Sequence, residues 1–77
     1  NEPISVTVQR GQLVAFTWRG STKRIKEVTD SWIEAGRWWE QEPSQTVYRV
    51  LTTDRGMYEI ARTHTDPPKW KLLVVWD

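Results

Sequence analysis

The chain has 77 residues, of which 11 are basic and 10 acidic, with no cysteine and a single histidine. One small domain is the most this length allows. Disulfides and thiolate sites are excluded, and so is a histidine-rich zinc centre, so neither metal nor cofactor is expected. A net charge of +1 argues against a strongly polyanion-binding protein, for which a domain pI above about 9 is usual, though not against a local basic patch. Packing is what remains to stabilise so small a domain. Six tryptophans, two tyrosines and one phenylalanine supply it, because each ring can bury roughly 150–250 Å².

Ile4, Val6 and Val8 alternate with Ser5, Thr7 and Gln9, the period of a half-buried strand. Arg10-Gly11-Gln12 reads as a tight turn into a second strand, Gln12 to Trp18. Strict alternation there puts Val14, Phe16 and Trp18 on one face and Leu13, Ala15 and Thr17 on the other, and the pair reads as a hairpin. Arg19-Gly20-Ser21 is the next turn. The segment after it carries two signals. Ile25, Val28, Trp32 and Ala35 fall at helical spacing with Gly36 as a C-cap, whereas Val28, Thr29, Trp32 and Ile33 favour a strand. A long bulged strand from about Lys23 to Trp32 is the preferred reading, the bulge letting Ile25 and Val28 both face inward. Residues 36–45 form a loop carrying Arg37-Trp38-Trp39. Thr46 to Thr52 and Met57 to Arg62 are strands joined by Thr53-Asp54-Arg55-Gly56, with the glycine at the left-handed position. Thr65-Asp66-Pro67-Pro68 is a loop, and Lys69 to Trp76 is a last strand with Trp70, Leu72, Val74 and Trp76 inward. Five or six short strands joined by tight turns predict an all-β domain, a small antiparallel barrel or a strongly curved sheet.

Catalysis finds little support in these residues. His64 with a serine and an aspartate is the composition of a triad, but it sits in a loop, where a solvated histidine is the ordinary reading. Glu40 and Glu42 resemble an acid–base pair only in their closeness. The four glycines are isolated, one to a turn, so there is no phosphate loop. The longest apolar run, Leu72 to Trp76, is too short to span a membrane. Asn1-Glu2-Pro3-Ile4 shows no basic segment followed by an apolar stretch, so no signal peptide is expected; the absence of cysteine is compatible with the cytoplasm, which is the expected location.

Binding is better supported. Adjacent side chains on extended chain point opposite ways, so Trp38 and Trp39 cannot both face the core unless their loop folds over it. They either cap an open barrel end or form a surface. As a surface beside Arg37 they would suit stacking on a nucleobase or anchoring a protein partner. Arg24, Lys26, Arg49, Lys69 and Lys71 point outward and offer a stripe for phosphates, but Glu59 lies among them, and a cross-strand ladder of Arg49, Glu59 and Lys71 is the plainer account.

Phe16-Thr17-Trp18-Arg19-Gly20, then Trp32-Ile33-Glu34-Ala35-Gly36-Arg37-Trp38-Trp39, then Tyr48-Arg49-Val50 together resemble a small uncharacterised bacterial domain family. Similar segments occur at the C-terminus of ImuB-type proteins, relatives of Y-family DNA polymerases that lack polymerase activity and help assemble a translesion-synthesis complex. The resemblance runs from about Ile4 to Trp76. Val47 and Leu51 depart from it, where ImuB-type domains tend to carry a tyrosine and an acid. It implies kinship of fold and a DNA-repair setting, and it carries over no catalytic residue. The expectation is a non-enzymatic binding module whose ligand is single-stranded DNA or a protein. Arg37, Trp38 and Trp39 form its surface, with Arg24, Lys26 and Arg49 in support. The alternative is a purely structural or protein–protein module with no affinity for nucleic acid.

Overall fold

The computed structural model describes residues 2–76. Seven strands form one antiparallel sheet: β1 (Glu2–Pro3), β2 (Ser5–Gln9), β3 (Gln12–Trp18), β4 (Ser21–Glu34), β5 (Gln45–Thr52), β6 (Met57–Thr63) and β7 (Trp70–Trp76). Their order is β1-β7-β6-β5-β4-β3-β2. The two ends of that order are consecutive in the chain, separated only by Ile4, whose N–H donates to the Trp70 carbonyl at 3.2 Å. The sheet therefore curls into a half-barrel whose edges approach each other at the N-terminal segment. This split accounts for seven strands where five or six were expected. The single N-terminal run pairs first with β7, Glu2 opposite Leu72, and then with β3, Val6 opposite Phe16.

The turns follow from local chemistry. Arg10 and Gly11 have φ of 52° and 77°, and Arg19 and Gly20 have φ of 51° and 75°. Two successive positive φ values make the primed turn that matches the twist of a two-residue hairpin. In the β5–β6 turn it is Arg55, not Gly56, that takes the left-handed conformation, with φ of 69°. Gly56 is there for space: a Cβ would lie 2.7 Å from Tyr58 Cε1 and 2.9 Å from Thr52 Oγ1.

Bulges set which side chains reach the core. In β3 the pairing passes from Ala15 to Leu13, skipping Val14. Leu13 thus joins Phe16 against the core, and the expected face with Val14 inward is corrected. β4 is extended throughout, with register shifts at Lys26 and Thr29. The first puts Ile25 and Val28 on one face, as their spacing implied, although Val28 stays 41% exposed. In β7 the pairing jumps from Val74 opposite Glu59 to Leu72 opposite Ile60. Leu73 is the extra residue, so Val74 and Trp76 are turned to the convex face, and Trp76 is not the core residue that alternation predicts.

The core is Phe16, Val50, Tyr58, Ile60 and Leu72, with Ile4, Val6, Leu13, Trp18, Ile25, Tyr48 and Trp70 packed around it. Phe16 meets Tyr58 edge-on at 5.1 Å between ring centroids. Trp18 faces inward, as its alternation indicated, and its Nε1 donates to Glu2 Oε2 at 2.9 Å. That bond ties β1 to β3 across the closure.

Candidate partner-binding site

β4 leads into a compact turn that presents the paired tryptophans. Trp38–Glu40 is one turn of 3₁₀ helix, and Gln41 ends it in the left-handed conformation. The Arg37 carbonyl accepts from the N–H groups of Glu40 at 2.9 Å and Glu42 at 3.1 Å, and the Trp38 carbonyl accepts from Gln41 at 3.1 Å. Gly36 makes the close return possible. A Cβ there would lie 2.1 Å from the Glu42 carbonyl oxygen and 2.4 Å from that of Pro43, both backbone atoms with no side-chain freedom to yield. Hydrogen bonds thus stiffen the loop from within, and its aromatic side chains are left outside.

Trp38 is 80% exposed and Trp39 66%. The 3₁₀ turn lets neighbouring rings sit together, edge to face, with centroids 5.7 Å apart. They do not cap the barrel end. The pair is an exposed aromatic knuckle on a turn held by its own backbone. Arg37 lies beside it, its Nη1 3.7 Å from Glu40 Oε2, an exposed ion pair of little energetic weight.

The other expected binding residues are elsewhere. Arg24 is opposite Ala15, and Lys26 occupies the first bulge of β4. Ten residues separate Arg24 from Glu34, about 30 Å of strand, so Arg24 and Lys26 lie at the opposite end of β4 from the knuckle. Arg49 is on the convex face of β5 and already engaged. Its Nη2 is 3.1 Å from Glu59 Oε2, and its guanidinium lies over the Trp32 ring at 5.4 Å and the Trp76 ring at 5.9 Å. Trp76 Nε1 donates to the same Glu59 oxygen at 3.2 Å. The Arg49–Glu59 rung of the expected ladder is present. Lys71 is not in it, because the register puts Lys71 opposite Ala61 and Val74 opposite Glu59, and the Trp76 indole reaches Glu59 from the neighbouring convex position. No stripe of free basic side chains is assembled from Arg24, Lys26 and Arg49. The approach of that indole was hidden from sequence reading by the bulge.

His64 bridges two hydroxyls, Ser44 Oγ at 2.7 Å from Nδ1 and Thr46 Oγ1 at 2.7 Å from Nε2. In a neutral imidazole one nitrogen donates and the other accepts, so the two hydroxyls satisfy the ring completely. Its backbone N–H also donates to the Ser44 carbonyl at 2.9 Å, which anchors the end of β6 to the end of the knuckle loop. Among the described residues no cavity adjoins it and no group of histidine and carboxylate side chains has the makings of a metal site.

A family described as a domain of unknown function (DUF6504) matches residues 1–77. The chain belongs to this family. Neither a curated protein nor a solved structure matches it. Membership of the DUF6504 family brings no assigned activity, ligand or partner, and nothing in these matches ties the chain to ImuB-type proteins. No helix among the described residues is long and apolar enough to cross a membrane.

Proposed function

We propose that this DUF6504 domain is a non-enzymatic protein-binding module that uses Trp38 and Trp39 as its anchor. The observation that carries the reading is the exposure of two adjacent tryptophans on a turn stiffened by its own backbone bonds. Such rings anchor interfaces at low entropic cost, since little freedom is left for a partner to remove. A protein partner fits better than DNA because Arg49 is already paired and Arg24 and Lys26 lie at the other end of β4. A phosphate backbone needs several cations close to the stacking rings, and of the expected basic residues only Arg37 is there, facing Glu40 at 3.7 Å. Catalysis forms no part of the proposal, since His64 is held between hydroxyls on an open surface.

A translesion-synthesis setting in the cytoplasm is a narrower form of the same proposal, supported by the resemblance of the Trp-Arg-Gly and Gly-x-Trp-Trp segments to ImuB-type domains. The test compares the domain with its Trp38→Ala, Trp39→Ala variant. Captured host proteins are reconstituted with the purified domain, and single-stranded oligonucleotide is titrated against tryptophan fluorescence. The expected result is direct binding of a protein by the parent and none by the equally folded variant, with no quenching by the oligonucleotide. Salt-sensitive quenching lost in the variant would overturn the protein reading in favour of nucleic acid.

A further inference from the structure

β4 has two edges, and one of them is open. From Ile25 to Glu34 it pairs with β5. On its other side β3 reaches only as far as Arg24, opposite Ala15. Among the described residues no strand lies on that side of residues 28–34, a run of roughly 23 Å. One amide shows the vacancy locally. The Ser31 N–H is bonded to the Asp30 carboxylate at 2.8 Å, a side chain standing where a neighbouring strand would place a carbonyl.

The chemistry along this edge is one-sided. Glu27, Asp30 and Glu34 are exposed on the convex side, and no lysine or arginine lies between Lys26 and Arg37. None of these three acids is in a described ion pair, although the Glu34 carboxylate accepts from two neutral donors, Trp32 Nε1 at 3.2 Å and Gln45 Nε2 at 3.0 Å, and keeps its charge uncompensated. On the concave side Val28 and Ile33 are 41% and 70% exposed. An extended chain lying on this edge would meet carboxylates on one face and aliphatic groups on the other. A second copy of this chain complements the edge poorly: over residues 27–36 it brings the same three carboxylates and no lysine or arginine, so pairing β4 with itself adds acid to acid without a counter-charge.

We propose that the open edge of β4 receives an extended peptide with alternating basic and apolar residues, added to the sheet as an eighth strand. Main-chain hydrogen bonds hold the peptide to the edge, its basic side chains meet Asp30 and Glu34, and its apolar ones meet Val28 and Ile33. β4 ends three residues before the Trp38–Trp39 turn, so a basic residue of the peptide beyond Glu34 reaches the tryptophan rings, where a cation is favoured. This inference rests on the protein-binding reading and adds its mode and the charge of the partner.

The test titrates the ¹⁵N-labelled domain with an octapeptide alternating lysine and valine. The controls are the same peptide N-methylated at alternate residues and a glutamate–valine analogue. The expected result is slowed hydrogen exchange at the Ser31 and Ile33 amides with the lysine peptide alone. Binding should weaken about tenfold in Asp30→Asn, Glu34→Gln, the scale of two exposed ion pairs. Equal binding by the N-methylated peptide, equal binding by the glutamate analogue, or dimerisation of the free domain through the same amides would each overturn strand addition. The Trp38 and Trp39 indole signals keep the two readings apart. Indole shifts without protection of Ser31 and Ile33 would sink the edge and leave the knuckle, and protection without indole shifts would show the edge acting alone.

Discussion

Asp54 shows how much a single side chain can organise in a short turn. Its carboxylate accepts a hydrogen bond from Thr52 Oγ1 and another from Lys23 Nζ at 2.9 Å. These two bonds, the Thr52 hydroxyl first, hold its pKa down from the ordinary 3.8 to about 2. A carboxyl whose folded pKa lies below its unfolded one stabilises the fold above the unfolded value and loses that contribution as pH falls through the folded one. The expected outcome is an acid-denaturation curve with a component between pH 4 and 2, absent in Asp54→Asn, and a carboxyl carbon of Asp54 that titrates near 2 by NMR. Gly36 is decisive at the same scale. Gly36→Ala drives a Cβ into two backbone carbonyls, and the loop must open to admit it. Its expected signature is loss of the indole–indole contact of Trp38 and Trp39 while the core signals of Ile60 and Phe16 stay in place. Replacing both tryptophans with alanine, by contrast, is expected to change stability by no more than about 0.5 kcal/mol in urea, as for other exposed side chains. The residue types at these positions were readable in the sequence, but their reasons were only partly so. Gly56 looked like a left-handed residue and proved to be a packing residue, because no sequence rule reveals that the Tyr58 ring folds back over it.

Among the elements, bulges separate what sequence pattern conveys from what it does not. β4 was legible because its apolar residues Ile25 and Val28 break the period of two, and a strand can accommodate that only by inserting a residue. β7 was not, because Leu72-Leu73-Val74-Val75-Trp76 is apolar at every position and gives no phase. The shift at Leu73 could be learned only from its pairing with β6. Its effect reaches the candidate site, for it is what brings Trp76 onto Arg49 and Glu59. The Glu59 side chain keeps 11% of its surface and that of Arg49 35%, so this pair is more strongly held than an exposed one. Glu59→Ala leaves the guanidinium without its acceptor between two indoles. It is expected to lower unfolding free energy by about 1–3 kcal/mol, measured by urea denaturation, and to shift the Trp76 indole N–H resonance. The knuckle was half legible. Two adjacent tryptophans after a glycine marked it, but exposure against burial depended on a loop path that the three hydrogen bonds to Arg37 and Trp38 carbonyls decide.

As a whole the molecule depends on very few fully covered side chains. Phe16, Ile60, Val47 and Val50 are 0–1% exposed. Domains of this kind hold about 5–15 kcal/mol against unfolding, and the smallest lie near the lower figure. Ile60→Ala is expected to remove about 2–5 kcal/mol, enough to populate the unfolded chain at room temperature, read as lost dispersion in the methyl region of a proton spectrum. The order in which the sheet assembles follows from the pairing of Glu2 with Leu72. Neighbouring hairpins close loops of a few residues, whereas this contact joins positions 70 apart in the chain, and long loops close slowly and late. During synthesis the strand that receives Glu2 and Pro3 is the last of the seven to leave the ribosome. The N-terminal segment must therefore wait, paired to β3 alone, until translation of the domain is nearly complete.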